Sequence, residues 1–232
     1  MSSYTKCFTI RLIAKYIGPS PLLKAYNFVS QTALLTSLGF EDQLLLSFFE
    51  SCKCVSSTID TNLLFNASVG LLKLISNAYG SCFSITKPKW GWVLCAKAAF
   101  IKTNIHESAT ARLRCCLVRK VESIFRTRAV IVKLVGIRIP HSSARQQFEI
   151  AQWDRRFKHI KVCPVALWQS IDIMQYLWSN SICYNSLHDY GYKSIGCAPC
   201  TRAVKHWESA RAGRWWWESG KQTSSECGLH TS

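Results

Sequence analysis

Two cysteine pairs constrain this chain more than any other feature. Cys115 and Cys116 are adjacent, Cys197-Ala198-Pro199-Cys200 follow, and 80 residues lie between the pairs, counted from Leu117 to Gly196. Four thiolates from an adjacent pair and a Cys-x-x-Cys can close tetrahedrally around zinc or hold a 4Fe-4S cluster, and spacing alone does not choose between them. Cys7, Cys52, Cys54, Cys82, Cys95, Cys163 and Cys183 are read as small apolar fillers, the ordinary role of a free cysteine.

The second pair leads into Arg211-Ala212-Gly213-Arg214-Trp215-Trp216-Trp217-Glu218 and then Glu226-Cys227-Gly228-Leu229-His230. This string follows neither a helix nor a strand period, so core packing does not account for it. Arg211 and Arg214 sit three apart and can face one ligand from a single turn, where guanidinium forks match phosphate or sulfate oxygens. The tryptophans supply rigid pocket walls. Cys227 is the candidate nucleophile, because cationic surroundings such as Arg211 and Arg214 favour the reactive thiolate. A terminal histidine such as His230 is more often simply exposed.

Composition narrows the classes. With 29 basic and 13 acidic side chains the net charge is +16, which asks for a polyanionic partner or an anionic ligand. The basic residues are interleaved with aromatics and cysteines rather than gathered in a run, and no nucleic-acid motif appears, so a small anionic ligand is favoured. A chain of 232 residues with 48% hydrophobic content has no need of disulfide staples, which places its 12 cysteines in a reducing compartment, with metal or redox roles for those not read as fillers. No stretch of 18 uncharged apolar residues occurs, so a protein without a membrane span, in the cytoplasm, is expected. The first 40 residues carry no acid and have Lys6, Arg11, Lys15 and Lys24, a composition compatible with a transit peptide. Residues 1–35 are read instead as a lead-in to a single domain at 36–232.

Along the chain, Ala33-Leu34-Leu35 reaches the small-residue turn Thr36-Ser37-Leu38-Gly39 and then Gln43 to Phe49, the order strand, loop, helix that receives anions at a helix start. Ser57 to Thr61 reads as a second strand end with a helix following toward Tyr79. The β-branched run at 129–136 reads as a buried parallel strand. Lys161 to Pro164 and Trp168 to Leu177 read as a strand end and an amphipathic helix. Alternating strands and helices predict an α/β fold with a mostly parallel central sheet and a ligand at the strand C-termini.

The segment from Ser186-Leu187-His188-Asp189 to Thr201-Arg202, the Arg-Trp block, the Glu-Cys-Gly-Leu-His tail, and Cys115-Cys116-Leu117-Val118-Arg119-Lys120 at the family's interval together resemble the assimilatory adenylyl-sulfate and phosphoadenylyl-sulfate reductases, specifically their iron-sulfur branch. The resemblance implies an adenine nucleotide alpha hydrolase-like fold with a pyrophosphatase-type loop and a C-terminal catalytic tail. It implies a 4Fe-4S cluster on Cys115, Cys116, Cys197 and Cys200, with structural zinc as runner-up. Ser37, Leu38 and Gly39, Lys120 with Arg119 in support, Arg138 and Arg145, and Arg211 and Arg214 would bind substrate. Cys227 would attack the sulfur of adenylyl sulfate, expel AMP and form an S-sulfocysteine, from which thioredoxin or a similar dithiol frees sulfite. The cluster cysteines favour adenylyl sulfate over its 3′-phosphorylated form by family habit. Neither nucleic acid nor membrane is an expected partner.

Departures from the family pattern accompany these matches. Phe40 replaces a small residue, Asn62 and Leu63 stand where Gly and Arg belong after Asp60-Thr61, Ile139-Pro140-His141 interrupts the arginine loop, and His206-Trp207 replaces Pro-Gly. Two rivals follow. One is a degenerate family member that keeps metal and nucleotide without turnover; the other is a basic nucleic-acid-binding protein with structural zinc, whose binding would be steeply salt-dependent.

Overall fold

The computed structural model describes residues 32–49, 55–89, 91, 93, 105–127, 130–141 and 149–218. Its centre is a six-stranded sheet formed by β1 (Thr32–Thr36), β2 (Val55–Ile59), β3 (Phe83–Thr86), β4 (Val132–Val135), β5 (Ala151–Asp154) and β6 (His159–Val162), in the order β3-β2-β1-β4-β6-β5. The pairs β1–β2, β1–β4 and β4–β6 are parallel, and β5 closes its edge antiparallel to β6.

A parallel strand covered on both faces has no polar side to show, and β1 and β4 read accordingly: all four residues of β4 and four of the five in β1 are buried. The interior of β2 is polar but also buried, and Thr58 donates its hydroxyl to the Thr36 carbonyl at 2.8 Å, satisfying inside the sheet what would otherwise be an orphaned group. The helices are α1 (Phe40–Phe49), α2 (Asn66–Tyr79), α3 (Ala109–Cys116), the short α4 (Glu122–Phe125) and α5 (Ser170–Ser179). Helices α1 and α5 share an aromatic contact, with the Phe48 ring 5.2 Å from Tyr176 and 6.4 Å from Trp168. Leu34, Leu44, Leu45, Leu134, Ile173 and Leu177 lie fully buried in this core. The α/β class and the mostly parallel sheet agree with the sequence pattern.

The connections from β1 run outward to β2 and β3, and the chain then returns to the other side of β1 as β4. An open α/β sheet binds ligands where its strand order reverses, outside the strand C-termini; here that point lies between β1 and β4.

The described residues divide into two compact units. One holds the residues up to Thr58, Gly70–Ser84 and Arg128–Asn185, with most of the sheet; the other holds Ile59–Val69, Ile85–Thr127 and the residues from Ser186 onward. Among the described residues no helix is long and apolar enough to cross a membrane.

Candidate active site

In the first unit, the β1–β4 crevice is lined by the turn Ser37-Leu38-Gly39 and by Gly136 to Arg138. Leu38 is buried and adopts φ +67°, a left-handed conformation that costs a branched side chain about 1 kcal/mol or more and signals an imposed turn. The carboxylate of Asp42 imposes it. One of its oxygens accepts from Ser37 N at 2.6 Å, Ser37 Oγ at 2.8 Å and Gly39 N at 3.3 Å, while Leu38 N donates to Thr36 Oγ1 at 3.0 Å. All three amides of the expected anion loop therefore have partners inside the protein. Burial, reinforced by the neighbouring Glu41, outweighs these hydrogen bonds and pushes Asp42 up to about 6.

Gly136 passes so close to this turn that a Cβ there would stand 2.3 Å from Asp42 Oδ1 and 2.8 Å from the Glu41 Cβ. Two residues on, Arg138 is buried and donates to Glu41 Oε1 at 2.6 Å and to Ser170 Oγ at 3.1 Å. The structure thus gives Arg138 an internal carboxylate, and its side chain ties β4 to the starts of α1 and α5. Phe40 turns its ring onto Tyr184 at 5.2 Å, and the turn keeps its packing without a small residue there.

The second unit brings the two cysteine pairs together. Cys116, Cys197, Cys200 and Trp215 form one buried cluster, with Leu63, Ile105 and Trp217 packed against it. Cys115 and Cys116 end α3, whose N-terminus is capped by the Ser108 hydroxyl accepting from Ala111 N at 3.1 Å. Successive helical residues point about 100° apart, so of two adjacent cysteines one goes inward and the other flanks it. Cys116 is buried and Cys115 is half-buried. The chain then widens into a π-helical turn over Leu117–Val121, where Glu122 N donates to Leu117 O. Such turns are rare and frequent at functional sites; this one carries Arg119 and Lys120.

Cys197 and Cys200 sit on a short 3-10 turn over Ala198–Cys200. Thr61 Oγ1 lies 3.2 Å from Cys197 Sγ, and the Thr61 carbonyl accepts from Arg119 Nη1 at 2.7 Å. Asn62 adopts φ +57°, a conformation that Gly or Asn accepts readily, and Leu63 O accepts from Ala198 N at 2.7 Å. The loop in which Gly and Arg are replaced therefore keeps a glycine-like backbone course, while Leu63 contributes an apolar wall in place of a cation.

The Arg-Trp block completes the cluster. Trp215 is buried with φ +49°, donates its backbone N–H to Cys200 O at 3.2 Å, and has the guanidiniums of Arg112, Arg214 and Arg211 at 4.4, 4.7 and 5.8 Å from its ring. Arg214 bonds neutral oxygens, Ile195 O at 3.2 Å and Ser194 Oγ at 3.4 Å, and its Nε is buried without a hydrogen-bond partner. The indole N–H groups of Trp215 and Trp217 are buried in the same state. A Cβ on Gly196 would stand 2.5 Å from Arg214 Nη2, so this glycine is what lets the guanidinium lie against the backbone before Cys197.

The thiols of Cys115, Cys197 and Cys200 are not electrostatically equal. Burial pushes Cys197 up, but Lys120, the Thr61 hydrogen bond, Arg214 and Arg119 together outweigh it and bring the thiol below its ordinary range. Burial, with Cys197 and Cys116 nearby, pushes Cys200 up to about 12, and burial also raises Cys115 despite Arg119. Among the described residues no set of three or more His, Cys, Asp or Glu side chains is posed to hold a metal ion as it stands. The donor set nonetheless fits one: three buried sulfurs from two segments with the half-buried Cys115 beside Cys197, orphaned buried N–H donors around them, and three cations to offset thiolate charge.

Of the residues singled out by sequence, Lys120, Arg214 and the four cysteines meet in the second unit, where Arg211 flanks Trp215. Arg145 and Cys227 lie outside the described residues, as does His230. Sequence reasoning missed the buried Arg112–Glu218 pair, whose signal was a lone acid following three tryptophans. It also missed Thr61, read merely as a strand end.

A family model described as "phosphoadenosine phosphosulfate reductase domain" matches residues 31–203. A protein named adenosine 5′-phosphosulfate reductase from Allochromatium vinosum is 34% identical over 84% of this chain and 77% of its own length. One of the same name from Sinorhizobium fredii is 36% identical over 85% of this chain and 79% of its own. Among solved structures, phosphoadenylyl-sulfate reductase from Candida auris superposes with a TM-score of 0.61 at 22% identity, covering 84% of this chain and 96% of that one. FMN adenylyltransferase from Candida glabrata gives 0.54 at 15% identity, over 90% of this chain and 68% of that one, a likeness of fold.

Proposed function

Because the chain belongs to the phosphoadenosine phosphosulfate reductase domain family, we propose that it is an oxidoreductase that converts adenosine 5′-phosphosulfate to sulfite and AMP in sulfate assimilation. The observation that carries this reading is the sulfur cluster: Cys116, Cys197 and Cys200, buried together from segments 80 residues apart, with Cys115 beside Cys197 and with Lys120, Arg119 and Arg214 acting on Cys197. A purely nucleic-acid-binding zinc module has no need of a half-buried arginine that, among the described residues, bonds only neutral oxygens beside its thiolates.

Cys227 is assigned as nucleophile. Its thiolate attacks the sulfate sulfur of adenylyl sulfate; an S–S bond forms, the bond from that sulfur to the phosphate oxygen breaks, and AMP leaves with the electron pair. A dithiol such as thioredoxin then attacks Cys227 Sγ, forming a mixed disulfide as sulfite departs, and its second thiol attacks the first, closing the reductant's disulfide and releasing the Cys227 thiolate, so two electrons from the dithiol reduce S(VI) to S(IV). Arg214 and Lys120 offset the charge of the sulfate-phosphate group, the kind of electrostatic help worth about 3 kcal/mol per donor in comparable sites. Arg211 joins them from the same turn.

Cys115, Cys116, Cys197 and Cys200 would hold a 4Fe-4S cluster, which when bound supplies a compact buried charge whose field acts on the surrounding cations. In the first unit the β1–β4 crevice stands at the point where the strand order reverses, the place where open sheets of this class take ligands. Ser37, Leu38 and Gly39, whose amides are bonded internally, shape that crevice rather than offering free N–H groups, and Arg138 holds its wall through Glu41.

The test is sulfite release from adenylyl sulfate with thioredoxin as reductant, in the wild-type chain and in Cys227→Ser. Turnover by the wild type and none by the variant is expected. Adenylyl-sulfate binding without turnover in the wild type would favour the degenerate family member instead.

A further inference from the structure

The Arg112–Glu218 pair is more than the sulfur site requires for charge balance. Arg112 lies on α3, three residues before Cys115, and is almost completely buried; Glu218 is buried as well. The two meet as a fork, Nε to Oε1 at 2.7 Å and Nη2 to Oε2 at 2.9 Å, and the guanidinium also covers the Trp215 ring at 4.4 Å. Glu218 N donates to Trp215 O at 2.8 Å, and Trp215 N donates to Cys200 O at 3.2 Å. A continuous path therefore runs from the helix bearing Cys115 and Cys116, through the fork and the Trp215–Glu218 turn, to the strand-like end of the Cys197–Cys200 turn.

A buried ion pair is a poor device for stability alone. Desolvating two charges cancels most of their attraction, and apolar replacements of similar volume commonly do as well or better. What a bidentate fork adds is direction: two parallel hydrogen bonds fix distance and angle where apolar contacts would slide. It also commits both Glu218 oxygens to Arg112, while Arg214, 4.7 Å from the same ring, keeps neutral partners and a buried, unpartnered Nε.

We propose that Arg112 and Glu218 are positioning residues that hold the two cysteine pairs in register as one four-sulfur site and keep Glu218 from neutralising Arg214. The proposal rests on the four cysteines acting together, as set out above, but not on the metal being iron or on any turnover.

The test uses the full chain, purified reduced without oxygen and free of metal, titrated with Co²⁺ as a probe of four-thiolate coordination, with melting temperature measured alongside. Glu218→Gln keeps the shape and removes the charge; Arg112→Met with Glu218→Met replaces the pair by apolar chains of similar size; Arg112→Lys keeps the charge and loses the fork. Loss of a residue that orients metal ligands typically weakens metal binding by about 10- to 100-fold, and that range is expected for all three variants. The double variant is expected to melt at or above the wild-type temperature while its cobalt affinity stays low, a separation that a merely structural pair would not give. Recovery of both in the double variant overturns the proposal. Wild-type cobalt affinity in Glu218→Gln or Arg112→Lys also overturns it, and those two decide the matter should the double variant not fold. A wild-type chain showing no four-thiolate cobalt spectrum overturns it as well. A wild-type chain that binds cobalt through four thiolates yet holds no iron-sulfur cluster removes the cofactor assignment above and leaves the positioning role standing.

Discussion

Asp42 makes the fold's stability depend on pH in an unusual direction. Its carboxylate is buried under the Ser37–Gly39 turn, and burial together with Glu41 raises it from 3.8 to about 6. The native state then holds a proton more tightly than the unfolded chain. This contribution is complete below the unfolded value and disappears as pH rises through about 6. The shift is roughly two units at ~1.36 kcal/mol each, so the full effect is about 3 kcal/mol, of which about 2 kcal/mol falls between pH 4.5 and 7.5. The perturbation is Asp42→Asn, which removes the titration while leaving an oxygen to accept from Ser37 N–H. Urea unfolding of both chains across that pH range gives the assay, and their difference cancels every group that the two share. Wild-type stability relative to the variant should fall by about 2 kcal/mol from pH 4.5 to 7.5. Two parallel profiles, or a wild type that gains on the variant as pH rises, would refute the assignment of a raised, desolvated carboxylate.

Gly136→Ala forces a Cβ to within 2.3 Å of Asp42 Oδ1 and 2.8 Å of the Glu41 Cβ, an overlap with two buried side chains at the start of α1, one of them through a Cβ that moves only with its backbone. Chemical denaturation should show a loss of about 1–3 kcal/mol, and unchanged stability would mean that the turn can move aside. Gly196→Ala places a Cβ 2.5 Å from Arg214 Nη2, and a long side chain yields more readily than backbone. Its expected result is therefore a modest change in melting temperature with about a tenfold or greater loss of kcat/KM for adenylyl sulfate, corresponding to one displaced cation. Equal kinetics in variant and wild type would take Arg214 out of the chemistry.

The strands and helices that frame the molecule were legible because each carries its own period: the apolar run of β4 and the amphipathic spacing of α5 appear in the sequence as they do in the fold. Cys116, Cys197 and Cys200 meet in one buried cluster, a meeting that the two rare pairs at the resembled family's interval had suggested. What tertiary partners decide was not legible. Arg138 looks in sequence like a free cation after a strand, yet Glu41, 97 residues earlier, takes it up. Asn62 reads as the loss of a glycine, but asparagine tolerates the same left-handed backbone at φ +57°. The amides of Ser37 and Gly39 read as an open anion loop until Asp42, a few residues on, is seen to fold back onto them. The π-helical turn carrying Arg119 and Lys120 has no sequence signature, because it is a phase slip within an otherwise helical pattern.

The central claim is that this chain transfers the sulfonate of adenylyl sulfate to one of its own cysteines. Its most direct measurement is the intact mass of the anaerobically purified protein after adenylyl sulfate is added with no reductant, followed by peptide mapping. One sulfite adduct per chain, located on Cys227, absent from Cys227→Ser and released by a dithiol, is the predicted result. An unmodified wild-type mass in protein that still binds the nucleotide would contradict it.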